Sequence, residues 1–247
     1  MSLVGAIRLL TRFYIPGKTN ERAEQTLFWF PFVGVLLGGI SYLIALLPLS
    51  ALIRSALILS SGVYFTRALH YDGLADFADG LGGGYTKERA LEIMRDSHIG
   101  AFGTIALILN FLLQFSLLVV LVDYPSALII SPALGRFAQV WAASTMNYAR
   151  EGEGMASELV RRAKWYHGLL PTLQIGLAVL LFFIVDSPFF GWTLIGLLFV
   201  ALSTLWVCVV AKKRLGGITG DVLGSVEVLA ETAVLLGLAL AITLCNT

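Results

Sequence analysis

Charge is scarce in this chain. Asp, Glu, Lys and Arg make up 13% of its 247 residues, about half the roughly 25% usual in a soluble domain. With 57% hydrophobic residues and a mean hydropathy of +0.84, drawn into several long apolar runs, the composition excludes an ordinary soluble domain. It predicts an all-α, polytopic membrane protein forming one embedded domain over residues 1–247. The few charges nearly cancel, leaving +1, so no global field points to nucleic acid as a partner. Cysteine is also scarce. Cys208 and Cys245 sit in apolar runs without Cys-x-x-Cys spacing, which argues against a zinc ribbon or a redox pair and leaves two small core side chains. A cleavable leader is not expected, because Arg8 and Arg12 interrupt the first apolar stretch. Walker A, GxSxG and dinucleotide-binding glycine signatures are missing. His70, His98 and His167 form no recognisable ligand set and read as boundary histidines.

What is there is a series of apolar segments. Seven spans are predicted: 27–47, 51–69, 99–122, 126–147, 169–185, 189–211 and 226–244. Gly34 and Gly38 form a small-xxx-small stripe on the first, suited to close helix contact. Residues 1–16, with Leu3, Ile7, Leu10 and Tyr14 at helical spacing, predict an amphipathic helix in the interface. Cations divide between the two sides. Arg8, Arg12, Lys18, Arg22, Lys87, Arg89, Arg95, Arg150, Arg161, Arg162, Lys164 and Lys212 to Arg214 fall on one, and Arg54 alone on the other. The positive-inside rule then places the N-terminus and every polar loop in the cytoplasm.

The densest chemistry is His70-Tyr71-Asp72-Gly73-Leu74-Ala75-Asp76-Phe77-Ala78-Asp79-Gly80-Leu81. On a helix continuing the second span, at ~100° per residue, Asp72, Asp76 and Asp79 share an arc of about 60°. Three like charges on one face repel. Bound cations reverse that sign, and Mg²⁺ takes carboxylate oxygens together with water and phosphate oxygens. Gly73 and Gly80 would leave one flank bare for a phosphate ester. A solvated acidic helix end is the plainer alternative. Gly82 to Gly84 should stop the helix.

Two further polar clusters lie on the same side. In Glu92-Ile93-Met94-Arg95-Asp96-Ser97 the acids are one turn apart, with Arg95 able to clamp phosphate. The alternative is a surface helix whose Glu88, Arg89, Glu92 and Arg95 pair among themselves. Lys212-Lys213-Arg214 precede a Gly-rich loop, 212–224, and suggest an anion cradle. Topology alone also explains the cations. Glu227 and Glu231 lie within the last span. They would complete a metal shell or pair with Arg136, the one cation deep in a predicted span.

These motifs resemble one family. Asp72-Gly73-x-x-Asp76-x-x-Asp79-Gly80, Glu92-Ile93-Met94-Arg95-Asp96-Ser97 and Gly217-x-Thr219-Gly220-Asp221-x-Leu223-Gly224 look like those of cobalamin synthases, the adenosylcobinamide-GDP ribazoletransferases. Leu10-Thr11-Arg12-Phe13 and Phe30-Pro31-Phe32-Val33-Gly34 resemble that family's first region. The resemblance implies a Mg²⁺-dependent enzyme of the cytoplasmic (inner) membrane with a cytoplasmic site. Its substrates would be adenosylcobinamide-GDP and α-ribazole or α-ribazole 5′-phosphate, with GMP released. Membrane lipid is the surrounding partner, and a homo-oligomer is compatible. By that resemblance Asp72, Asp76, Asp79, Asp96 and Arg95 are the candidate catalytic residues. Lys213, Arg214, Gly73, Gly80 and Thr219 would bind substrate. Asp72, Asp76, Asp79, Asp221, Glu92 and Glu227 would hold metal. His98 stands where arginine is frequent in the family.

A CDP-alcohol phosphotransferase also carries Asp-Gly near later aspartates. Its motif wants Ala-Arg where Asp76 and Phe77 stand. A prenyltransferase would want Asn-Asp-x-x-Asp motifs on two helices. A cation-coupled transporter would place its acids near the bilayer midplane, whereas most acids here fall at one edge.

Overall fold

The computed structural model describes residues 2–16, 22–152, 155–185 and 187–245. Its helices are α1 (Leu3–Leu10), α2 (Phe30–Ala45), α3 (Ala51–Phe65), α4 (Leu69–Gly83), α5 (Lys87–Ile93), α6 (Ala101–Leu121), α7 (Pro125–Thr145), α8 (Met155–Arg162), α9 (Leu169–Val185), α10 (Ser187–Leu215) and α11 (Gly220–Cys245). Short 3₁₀ turns cover Ala23–Trp29 and Trp165–Gly168. Each of the seven apolar segments corresponds to a helix. Four stretches, Ala23–Ala45, Ala101–Leu121, Gly191–Leu215 and Gly220–Leu244, have the length and hydropathy to cross a bilayer. Their outer faces are apolar: Ile105, Ile108, Leu112, Leu198, Leu202 and Leu205 are all exposed. A soluble protein could not tolerate so wide an apolar surface, and a polytopic helical membrane protein requires it. Lys18 and Asp186 lie outside the described residues.

Helix direction alternates between two ends of the bundle. At one end Arg54 of α3 pairs with Asp123 after α6 at 2.8 Å and donates to the Ala45 carbonyl of α2. At the other end Asp79 of α4 meets the start of α6, and Arg214 of α10 meets the end of α4. The second end gathers α1, α4, α5, α8 and the 146–152 and 216–219 connections. It is the polar pole.

The small-residue stripe on α2 is realised. A Cβ on Gly34 would fall 2.4 Å from the Pro132 carbonyl oxygen, and one on Gly38 2.6 Å from the Ile129 Cα. Both collisions are with the α7 backbone, which cannot rotate away. Gly38→Leu is therefore expected to force α2 from α7 and cost more than the ~1–3 kcal/mol of ordinary overpacking. Thermal unfolding in detergent would read this as a large loss, whereas Gly39→Leu, which meets nothing within 4 Å, should behave as wild type.

Three expectations about elements are corrected. First, α4 does not continue α3. The chain breaks at Arg67 and Ala68, both left-handed with φ of 58° and 56°, a conformation that costs an L-residue ~1–2 kcal/mol. The N-terminal segment holds the break in place: the Arg12 N–H donates to the Phe65 carbonyl, and Arg67 donates to the carbonyls of Arg8 and Leu9. Second, the amphipathic helix ends at Leu10 rather than residue 16, and its Ala6 and Leu10 are buried. It is a packed element of the polar pole. Third, the loop predicted for 212–224 shrinks to 216–219, because Gly220 and Gly224 are helical. Gly224 is small because α4 crosses there: a Cβ would lie 3.1 Å from the His70 carbonyl.

Candidate active site

The polar pole is assembled by the crossing of α4 and α11. A Cβ on Gly73 would sit 2.7 Å from the Asp221 carbonyl oxygen. The Ser225 hydroxyl, one turn along α11, donates to the Gly73 carbonyl at 3.0 Å. Asp72 and Asp76, on either side of Gly73, are thereby brought to Asp221 at the first turn of α11. Asp72 and Asp221 line one cavity. Asp76 is half-buried and feels both. Burial, then Asp221, then Asp72 push its carboxyl up to about 7, while Arg150 opposes the shift.

The backbone beside Asp221 is pinned by a single β-bridge between Tyr148 and Ile218. The Ile218 N–H donates to the Asn147 carbonyl at 2.9 Å, and the Ala149 N–H to the Ile218 carbonyl at 2.8 Å. Gly217 must be glycine there, since a Cβ would meet the Asn147 carbonyl oxygen at 2.3 Å. Gly216 turns the chain at φ +78°. The bridge carries Arg150 to Asp221, where its guanidinium lies 2.8 Å from the carboxylate and also donates to the Met94 carbonyl at 3.2 Å. Its buried Nε has no partner among the described residues. Thr219 caps α11, accepting the Val222 N–H, and its hydroxyl donates to Asp221 at 3.2 Å.

Other predicted residues fall elsewhere. Asp79 stays on the same face of α4 as Asp72 and Asp76 and acts on Asp76, but it is buried. Its carboxylate accepts the Gly100 N–H at 2.7 Å and the Gly103 N–H at 2.9 Å, capping α6. A Cβ on either glycine would strike that carboxylate at 2.4 Å. Arg214 is partly buried against the end of α4. It donates to the Leu81 and Gly84 carbonyls and so closes the C-terminal end of α4. The Gly73 and Gly80 flank is not bare, for α11 fills it at Gly73 and Met94 at Gly80. Glu92 pairs with Arg89 on the surface. Asp96 is exposed and bonded to His98 at 2.6 Å, which lowers its pKa. Arg95 and Lys213 are exposed at the same pole.

Glu227 is withdrawn from this surface altogether. It lies in the core, 2.7 Å from Arg136 and 3.1 Å from His70 Nδ1, and Glu231 stands 3.6 Å from the same guanidinium. Of the two roles open to Glu227 and Glu231, pairing with Arg136 is the one the fold adopts. A small cavity of about 50 Å³ adjoins this group.

Arg150 was readable only as a topological cation, because the bridge that aims it at Asp221 has no signature in the sequence. His70 and Gln139 were equally silent, since nothing in their spacing reveals what each faces.

No three His, Cys, Asp or Glu side chains among the described residues form a group ready to hold a metal ion. Magnesium does not need three, because it is ordinarily bound by one or two carboxylates with water and substrate phosphate oxygens. Asp72, Asp76 and Asp221 lie close enough for their charges to raise the Asp76 carboxyl, and one or two carboxylates of this group is the number such an ion takes.

Comparison with known proteins gives a consistent result. The profile of the family described as Cobalamin-5-phosphate synthase matches residues 2–239. The chain is similar to the adenosylcobinamide-GDP ribazoletransferase of Chlorobium phaeovibrioides, 39% identical over 246 residues, with 98% of each chain covered. It is 41% identical to the protein of that name from Chlorobaculum tepidum, covering 96% of this chain and 94% of the relative. To that from Pseudomonas fluorescens it is 37% identical, covering 92% and 93%. No solved structure matches. A match along nearly the whole chain, and not at a shared motif alone, means that the chain belongs to the Cobalamin-5-phosphate synthase family.

Proposed function

We propose that the chain joins α-ribazole, or its 5′-phosphate, to adenosylcobinamide-GDP at the polar pole and releases GMP. One observation carries the reading: the first and third motifs, 149 residues apart in their leading aspartates, converge as Asp72, Asp76 and Asp221 with Arg150 set against them. In the reaction a ribose hydroxyl attacks the cobinamide-linked phosphorus. The bond from that phosphorus to the bridging oxygen breaks, GMP departs, and the hydroxyl proton passes to a carboxylate of the same wall. Magnesium held by Asp72, Asp76 and Asp221 would neutralise charge on the bridging and leaving oxygens. Arg150 anchors Asp221 and sets a cationic charge beside the acidic wall. Arg95, Lys213 and Lys87 add cationic charge at the rim. Lys87 reaches to within 3.1 Å of where a Gly216 Cβ would stand.

The helices of the seven apolar segments cross the inner membrane with the polar pole in the cytoplasm. This rests on the cation asymmetry, in which Arg54 alone marks the other end. A cytoplasmic pole gives soluble nucleotide substrates direct access. The test is incubation of the full chain in lipid with Mg²⁺, adenosylcobinamide-GDP and α-ribazole phosphate. GMP and a corrinoid bearing its lower ligand are expected together, and a folded preparation yielding neither would refute the reading.

A pH dependence follows. Protons compete with the cation for Asp76, whose affinity for a proton is raised to about 7. Above that pH the carboxylate is charged, and below it neutral. The Mg²⁺ concentration giving half-maximal turnover should therefore fall as pH rises through 7 and level off above it. A flat profile from pH 6 to 8 would remove Asp76 from the metal site.

A further inference from the structure

Beneath α1 and α8 lies a cavity of about 190 Å³ opening beside the acidic wall. Asp72 and Asp221 stand at one side. Leu9, Leu10, Phe30 and Leu159 supply an apolar wall, and among the described residues no Lys or Arg lines it. Gly73, Gly220 and Gly224 also line it. Two of its other lining residues are buried polar groups with an unsatisfied atom. Gln139 donates its amide to the Leu223 carbonyl at 3.1 Å, leaving Oε1 with no partner among the described residues. His70 gives Nδ1 to Glu227, leaving Nε2 likewise unpartnered. Both residues are more than nine-tenths buried. An orphaned acceptor at that depth costs about 1–3 kcal/mol unless a donor meets it.

We infer that this cavity is the subsite of the nucleoside acceptor, with the α-ribazole base against the leucine wall and Gln139 positioning the nucleoside by accepting one of its hydrogen bonds. The inference rests on the reaction proposed above. Of the two substrates only the ribazole combines an apolar bicyclic base with uncharged hydroxyl groups. Adenosylcobinamide-GDP brings a corrin ring too large for the space. Seating the base inward puts the ribose at the mouth, beside Asp72 and Asp221, where its hydroxyl must react. A 5′-phosphate then projects to the cationic rim.

The test uses the full chain in lipid nanodiscs with Leu159→Trp, which fills the cavity, Gln139→Leu, which removes the acceptor, and Leu159→Met as the conservative control. For Leu159→Trp and Gln139→Leu, KM for α-ribazole should rise roughly tenfold or more, with kcat at saturation and KM for adenosylcobinamide-GDP within about twofold of wild type. Leu159→Met should match wild type. Titration of α-ribazole, followed by the fluorescence of its benzimidazole base without Mg²⁺ or the second substrate, should show the same weakening. Unchanged α-ribazole binding in both variants would overturn the inference. So would a rise confined to the KM for adenosylcobinamide-GDP, which would assign the cavity to the other substrate. If wild type binds α-ribazole, both variants lose that binding, and no GMP is ever formed, the subsite stands and the proposed reaction fails.

Discussion

Asp76→Asn is expected to remove turnover while leaving the fold intact. The substitution keeps the shape of the side chain and deletes the charge at the centre of the acidic wall. Loss of a group that acts on developing charge in a phosphoryl transfer costs about 10²–10³ in rate. Asp76 is flanked by Asp72 one turn before it and Asp221 across the helix crossing, so no neighbour can replace it without moving a backbone. Neutralising Asp76 also relieves repulsion, so thermal stability should hold or rise. The measurement is GMP release at saturating Mg²⁺ beside a melting curve in the same detergent. Activity within a few-fold of wild type would mean that the wall is only a solvated helix end.

Arg136→Ala is expected to produce the opposite pattern, a large loss of stability. The guanidinium is 2% exposed and serves both Glu227 and Glu231. Removing it strands carboxylates in the core, and breaking a buried pair from one side costs about 3–5 kcal/mol. Replacing both partners, as in Arg136→Gln with Glu227→Gln, should recover part of that loss, because the stranded charge disappears with its partner. A thermal shift in detergent reads both. If Arg136→Ala melts with wild type, the core ion group is not a structural element, and a transport role for Glu227 and Glu231 regains interest.

The two substitutions separate what was legible in the sequence from what was not. Apolar runs announced the helices, and Gly34 and Gly38 announced a contact, because burial in lipid and close approach leave composition signatures. The family-like motifs announced Asp72, Asp76 and Asp221. The sequence could not say which acids face one another. Periodicity put Asp79 in line with Asp72 and Asp76, and the fold spends it on two backbone N–H groups of α6. A capping aspartate and a metal-binding aspartate look alike until the next helix is placed. Arg214 was read as part of an anion cradle, and the partners it has in the fold are carbonyls 130 and 133 residues away. The break at Arg67 and Ala68 was invisible, since neither residue favours a left-handed backbone. It is the N-terminal segment that holds it. Arg150 reaches Asp221 through a bridge between two loops, a long-range contact that no local pattern encodes.

In the proposed site Asp221 joins the acids of α4 around one cation. Mn²⁺ binding, followed by electron paramagnetic resonance on the full chain, tests this without turnover. Asp221→Asn and Asp76→Asn should each weaken Mn²⁺ binding by roughly tenfold or more. Asp96→Asn, altering an acid that is exposed and bonded to His98, should bind as wild type does. Wild-type affinity in Asp221→Asn, or a loss confined to Asp96→Asn, would contradict the site described.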